Sequence, residues 1–135
     1  RVKADERAKK KHASDSLICT VIEHLEQHDP NGHLPEAYYY AGCVNSHLQN
    51  GEKALIYFQR ALLCDSVCIT PYLKSRCYAQ IGYIYLRNGL FDEAFDMQQL
   101  AHFYCKQIGD TLGMRHSSED IQTIKEMKND STTPG

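Results

Sequence analysis

Two pairs of side chains in this sequence have the types and the spacing that chemistry on one helix face requires. Cys43 and His47 are four residues apart, so a thiol and a base that activates it would meet on a helix. His24 and His28 have the same spacing, which suits two metal ligands, and His33 follows nearby. No HExxH motif or cysteine set completes the histidine pair, so a solvated helix face explains it better. Cys43 with His47 remains the best candidate for a thiol-dependent enzyme.

The six cysteines favour buried thiols over a disulfide framework. An even number in a short chain is compatible with disulfides, and pairing of some of them stays open. Each cysteine, however, lies in a helical pattern beside apolar residues, where a small buried thiol packs well. Cys64 and Cys68 share a helix face, but no CxxC pair or matching histidines accompany them. With no glycine-rich phosphate loop and no paired-carboxylate motif, we expect a protein that is not an enzyme and has no cofactor or metal.

Composition gives little support for nucleic-acid or membrane binding. The 135 residues are 42% hydrophobic, enough for a core, and the formal net charge is −2. Basic residues are concentrated in the first twelve positions, where a solvated helix end is a better interpretation than a phosphate-binding arm. No run of eighteen apolar residues and no signal peptide is visible. The chain begins at Arg1 rather than Met, which suggests a processed or excised piece and leaves its location open.

The elements that must position these residues are all helical. Apolar residues recur at helical spacing, no segment alternates with period two, and turn signals separate the segments. These signals are Asp29-Pro30-Asn31-Gly32, Asn50-Gly51, Asn88-Gly89 and Gly109-Asp110. Pro35 and Pro71 suit the first turns of helices. The pattern predicts an all-α domain of about six helices, near residues 4–28, 35–48, 52–64 or slightly beyond, 70–87, 91–107 and 111–128, with a frayed tail over 129–135.

An internal repeat organises these helices. Gly42 and Gly82 lie forty residues apart; each is preceded by a tyrosine four residues earlier and followed by alanines twelve and nineteen residues later. A glycine and alanines at helix crossings allow two helix axes to approach to about 8–10 Å. Self-similarity at this period is typical of stacked helical arrays.

These residues resemble the tetratricopeptide repeat. The first repeat contributes Tyr38, Ala41, Gly42, Ala54, Phe58 and Ala61, and the second contributes Tyr78, Ile81, Gly82, Tyr85, Gly89, Ala94 and Ala101. The resemblance implies a right-handed superhelical array of antiparallel helix pairs, an α-solenoid. It would form one domain, with a leading helix over 4–28, repeats over 35–68 and 70–108, and a partial third repeat or capping helix over 110–128. The sequence departs from the family at Asn45, at Gln98 in place of an aromatic, and in its longer period.

The longer period is similar to that of tetratricopeptide lipoproteins and membrane-anchored sensor-regulators of Bacteroides-type bacteria. Phrases such as Glu36-Ala37-Tyr38-Tyr39-Tyr40-Ala41-Gly42 carry this second resemblance. It implies a location in the cell envelope and a role in a larger scaffold or signalling protein. A cytoplasmic location is the alternative.

The tetratricopeptide resemblance also implies which residues line a concave, partner-binding groove. They are Glu36, Tyr39, Cys43, Ser46 and His47, then Arg76, Ala79, Tyr83, Leu86 and Arg87, then His116, Glu119, Thr123, Glu126 and Met127. The Lys and Asn residues of the family's chaperone-binding clamp are absent from the matching positions. We therefore expect a non-enzymatic module that binds a protein or peptide segment. The alternative is self-association through an exposed apolar side of the last helix, formed by Ile121, Ile124 and Met127.

Overall fold

Turn residues between amphipathic segments divide the chain into helices. A computed structural model describes residues 16–29, 32–64 and 69–132, and within these ranges it contains six helices and no strand. The prediction of an all-α fold is therefore confirmed for the described residues. The helices are α1 over residues 16–28, α2 Leu34–His47, α3 Gly51–Leu62, α4 Pro71–Arg87, α5 Phe91–Gln107 and α6 Thr111–Thr132. Contacts separate the chain into two compact units, with α1–α3 in residues 1–69 and α4–α6 in residues 70–135.

Short side-chain caps and left-handed residues set the helix ends. Thr70 caps α4 by accepting a hydrogen bond from the Leu73 amide at 3.2 Å, and Pro71 follows in the first turn. Gly89 and Gly109 lie two residues after the ends of α4 and α5 and have φ angles of 76° and 71°, a conformation that glycine adopts without steric cost.

The connection between α2 and α3 differs from the predicted one. Asn50-Gly51 begins α3, with the Asn50 side chain as its N-cap, whereas the sequence pattern suggested that this dipeptide ends α2. The left-handed residue after α2 is instead Gln49, with φ of 59°. Gln49 lies forty residues before Gly89, so a glutamine occupies the position that a glycine fills in the second unit.

In the first unit, α2 and α3 pack through small residues around one ring. Ala41, Ala54, Phe58 and Ala61 are fully buried, and a Cβ atom built on Gly42 would lie 2.5 Å from the Phe58 ring. This contact confirms that the glycine is small because a neighbour on the facing helix needs its space. Hydrogen bonds tie α1 to this pair, from the Tyr38 hydroxyl to Glu26 at 2.9 Å and between Cys19 and Tyr57 at 3.5 Å.

In the second unit, α4 packs antiparallel to α5. Tyr78 stacks on Tyr104 while Gly82 lies against Gln98. A later residue of α4 therefore contacts an earlier residue of α5, as antiparallel packing requires. The α5 and α6 helices also run antiparallel, since Cys105 lies beside Gly113 and Phe95 beside Lys125. The buried Ile124 of α6 is 1% exposed. It therefore contributes to the core of this unit.

The C-terminal helix is longer than expected. The sequence predicts that this helix ends near Lys128 and that a frayed tail begins at Asn129, but α6 continues to Thr132. Residues 129–132 include no glycine or proline, and Pro134 is the first helix breaker after them, so nothing local ends the helix earlier. The predicted helical residues 4–15, the residues 65–68 and the tail positions 133–135 lie outside the described residues. None of the helices in the described ranges has the length and hydrophobicity of a membrane span.

Candidate functional site

A cleft of about 200 Å³ opens between α4, α5 and α6 of the second unit. We call it the α4–α6 cleft. Its lining combines both signs of charge with a phenol, an amide and a hydroxyl, supplied by Arg76, Tyr83, Gln98, His116, Ser117 and Asp120. Small-molecule pockets typically measure about 300–1,000 Å³. The α4–α6 cleft is smaller, with room for a single long side chain.

Helical spacing explains why these side chains converge. Arg76, Ala79 and Tyr83 recur at intervals of three and four along α4, and Gly113, His116 and Asp120 do the same along α6. Each set therefore lies along one face of its helix. The α5 helix lies between them and contributes Gln98, Ala101 and Cys105.

Tyr83 and Asp120 form a bridge across the cleft from α4 to α6. The Tyr83 hydroxyl donates a hydrogen bond to Asp120 Oδ2 at 2.9 Å. Partial burial, followed by the bond and the charge of Asp120, raises the pKa of Tyr83 to about 12. Burial also raises the pKa of Asp120, while the Tyr83 hydrogen bond and the charge of His116 oppose that shift. The bridge therefore orients the tyrosine ring and leaves a partly desolvated carboxyl group in the cleft.

Gln98 supplies a buried amide to the cleft. The side chain is 1% exposed, and its Nε2 donates to the Ala79 carbonyl oxygen at 3.2 Å. Its Oε1 has no hydrogen-bond partner within the part of the chain that the structure describes. In the first unit the residue forty positions earlier is Phe58, which faces Gly42 as Gln98 faces Gly82. A polar side chain therefore replaces a ring at an equivalent interior position.

Ser117 and His102 form a second polar pair beside the cleft. His102 Nδ1 lies 3.0 Å from Ser117 Oγ, and Ser117 Oγ lies 3.0 Å from the carbonyl oxygens of both Gly113 and Met114. Because the hydroxyl proton has two backbone acceptors within reach, Ser117 is placed to accept from a protonated His102 Nδ1. This arrangement holds α5 to α6 and directs the hydroxyl proton away from the histidine.

Four of the residues predicted for the groove lie together in the α4–α6 cleft: Arg76, Ala79, Tyr83 and His116. Glu119 and Thr123 are on α6 but do not line it; both are exposed, and the Thr123 hydroxyl donates to the Glu119 carbonyl oxygen at 3.0 Å. Arg87 is exposed at the last residue of α4.

The predicted groove residues of the first unit lie along α2. Glu36 is exposed beside His33, with its carboxylate 3.4 Å from the imidazole, and His47 is exposed at the end of the helix. Tyr39 is half-buried, with its ring centroid 5.7 Å from that of Phe58. Cys43 is also half-buried.

The other candidates for chemistry are the histidine pair and the cysteines. His24 and His28 do share a face, with ring centroids 4.5 Å apart, but no group of three His, Cys, Asp or Glu side chains suited to a metal occurs among the described residues. The five cysteines that the structure describes are thiols rather than disulfides. Cys68, which the sequence places on the same helix face as Cys64, lies outside the described ranges.

Gln98 and Asp120 were not among the predicted groove residues. Both carried a signal in the sequence, since Gln98 replaces an aromatic of the repeat and Asp120 follows His116 by one helical turn. Comparisons with protein-family models, curated proteins and solved structures found no match to this chain.

Proposed function

We propose that this chain is a non-enzymatic, tetratricopeptide-like module that binds a segment of another protein, with the α4–α6 cleft as its anchoring site. The observation that supports the proposal is the convergence of Arg76, Tyr83 and His116 in one concavity. Tyrosine and arginine are the residue types that most often anchor protein interfaces. The finer architecture, a superhelical array of helix pairs in a scaffold or signalling protein, belongs to this proposal.

The α4–α6 cleft suits recognition because its tyrosine is held before a ligand arrives. The hydrogen bond to Asp120 restrains the Tyr83 side chain, so binding would immobilise fewer rotatable groups. Tyr83 is 40% exposed, which leaves part of its ring accessible. A segment lying across α4 and α6 would contact this ring while one of its side chains enters the cleft.

A selection with random peptides tests the proposal. Phage-displayed peptides selected on the wild-type protein are synthesised and titrated into isotopically labelled protein, and amide shifts locate the contact. We expect shifts concentrated on α4 and α6, and loss of binding by tenfold or more in Tyr83→Ala and Arg76→Glu. Arg87→Glu reports whether the segment extends to the end of α4.

Arg115→Glu is the matched control for charge. Arg115 is an exposed residue of α6 that lies 3.9 Å from Glu119, and it does not line the cleft. The control should bind the selected peptides as the wild type does. If Arg76→Glu and the control Arg115→Glu lose binding equally, or if the amide shifts lie away from α4 and α6, the cleft is not the anchoring site.

Self-association through α6 receives less support than the sequence suggested. The pattern placed Ile124 in an exposed apolar stripe, but this residue is buried against the second unit's core, and Met127 alone of the three is classed as exposed. The prediction of an exposed Ile124 was therefore wrong, because α5 covers that side of α6. Light scattering over a concentration series measures whether copies associate.

A further inference from the structure

The buried acceptor at Gln98 indicates what kind of group the α4–α6 cleft lacks. The amide orientation is determined by its Nε2, which donates to the Ala79 carbonyl oxygen, so Oε1 is the atom left for a partner. No group of the described residues donates to it. Buried acceptors are almost always paired in folded proteins. The missing partner is therefore a hydrogen-bond donor.

The charges around the cleft indicate the sign of that donor. Its lining includes one arginine, Arg76, and two carboxylates, Asp110 and Asp120, which gives a formal charge of −1 when histidine is counted as neutral. Asp110 is engaged at the start of α6, where its Oδ1 accepts from the Gly113 amide at 2.9 Å. Asp120 accepts one hydrogen bond, from Tyr83, and a carboxylate has capacity for several. The local balance favours a cation by one charge.

We propose that the α4–α6 cleft receives a cationic side chain of the bound segment, an arginine or a lysine, which donates to Gln98 Oε1 and pairs with Asp120. This inference rests on the proposed function and specifies its ligand. An acidic side chain would place an acceptor against two acceptors. A neutral amide would satisfy Gln98 and leave the carboxylate without a counter-charge.

The size of the cleft agrees with a single extended side chain. A volume of about 200 Å³ lies below the usual range of small-molecule pockets. The N–H groups of an arginine or lysine that enters the cleft would donate hydrogen bonds to its acceptors. Charge-assisted bonds of this kind are about twice as strong as neutral ones.

Pentapeptide pools with a fixed central residue test this assignment directly. Each pool, acetylated and amidated at its ends, has one central residue (arginine, lysine, citrulline, norleucine or glutamate) between randomised neighbours. Binding is followed by NMR through the Gln98 side-chain amide protons and the backbone amides of α4 and α6. We expect the arginine or lysine pool to bind about tenfold more tightly than the citrulline and norleucine pools, with the Gln98 signals shifting most. Tighter binding of the arginine pool than of the lysine pool would indicate that the cleft recognises a planar guanidinium group, and the reverse order would indicate recognition of a point charge.

Two variants and a control separate the contributions. Asp120→Asn keeps an acceptor for Tyr83 but removes the charge, so it should abolish the preference of arginine over citrulline, which is uncharged. Gln98→Met removes the acceptor with little change in volume and should weaken the cationic pools. Asp96→Asn makes the same charge change at an exposed α5 position outside the cleft and should leave the order unchanged.

The possible results separate this inference from the proposed function. If pools bind at α4 and α6 but the glutamate pool is preferred, or the order is the same in Asp120→Asn, the cationic ligand is ruled out and the peptide-binding function stands. If no pool shifts α4 or α6, both proposals fail.

Discussion

Gly42 provides a direct measure of how tightly α2 and α3 pack. A Cβ atom at this position would lie 2.5, 2.7 and 2.8 Å from three atoms of the Phe58 ring. Ordinary carbon–carbon contacts are about 3.5–4.0 Å, so the ring or the helix must move by roughly 1 Å to admit a methyl group. Phe58 is 0% exposed, and its ring has no route to solvent. Gly42→Ala therefore introduces a real overlap.

Two opposing effects determine the free energy change. Alanine in a helix interior is favoured over glycine by about 1 kcal/mol. Overpacking a well-packed core costs about 1–3 kcal/mol. We expect Gly42→Ala to lower the free energy of unfolding by about 0–2 kcal/mol, where an unconstrained helix glycine would show a gain of about 1 kcal/mol.

Urea denaturation followed by circular dichroism measures this change, and a double-mutant cycle with Phe58→Leu identifies its source. With the ring removed, Gly42→Ala should stabilise by about 1 kcal/mol, which gives a coupling of about 1–3 kcal/mol. Gly82→Ala is the matched comparison. Its Cβ would meet the end of the Gln98 side chain at 2.7 Å, and that end can shift if it gives up its hydrogen bond to Ala79. A gain of about 1 kcal/mol for Gly42→Ala, or an equal effect in both backgrounds, would refute the close contact.

Three further predictions concern local features. Because Gln49 and Gly89 both have positive φ, Gln49→Gly should raise the free energy of unfolding by about 1 kcal/mol and Gly89→Ala should lower it by about as much. Equal unfolding midpoints for the wild type and the two variants would contradict this prediction. Burial and then the Glu26 hydrogen bond raise the pKa of Tyr38 to about 12, so the folded protein keeps a proton that the unfolded chain releases, and stability should fall as pH rises from about 10 to 12. Tyr38→Phe should show a shallower fall over that interval, and an unchanged slope would argue against it. Thr70→Ala should cost about 1 kcal/mol and Thr70→Ser much less, as measured by urea denaturation; equal losses would show that the cap is unimportant.

The helical segments were predictable because their signals are local. Apolar spacing, prolines at first turns and glycines after helix ends act within a few residues, and the described helices follow them closely. The turn after α2 was harder to predict, since Gln49 has no preference for a positive φ and the adjacent Asn50-Gly51 is a strong turn signal. Gln49 adopts that conformation in a turn closed by the hydrogen bond from the Asn50 amide to the Asn45 carbonyl oxygen at 2.8 Å.

The candidate site was only partly predictable. The family resemblance implied Arg76, Tyr83 and His116 as groove residues, and these line the α4–α6 cleft, whereas Glu119 and Thr123 do not. Gln98 was visible only as a departure from a pattern. Its significance depends on which atoms surround the amide, and these belong to residues distant along the chain.

Helix content and the helix boundaries within a few residues were determined by the sequence itself, because each depends on neighbours one or two turns away. Tertiary structure alone decided that Asp120 meets Tyr83, that Ile124 is covered and that Gln98 Oε1 is left without a donor among the described residues. The reason is that burial and hydrogen bonding across helices depend on how closely residues far apart in the chain approach one another. A periodic pattern specifies a helix face, but not what lies against it.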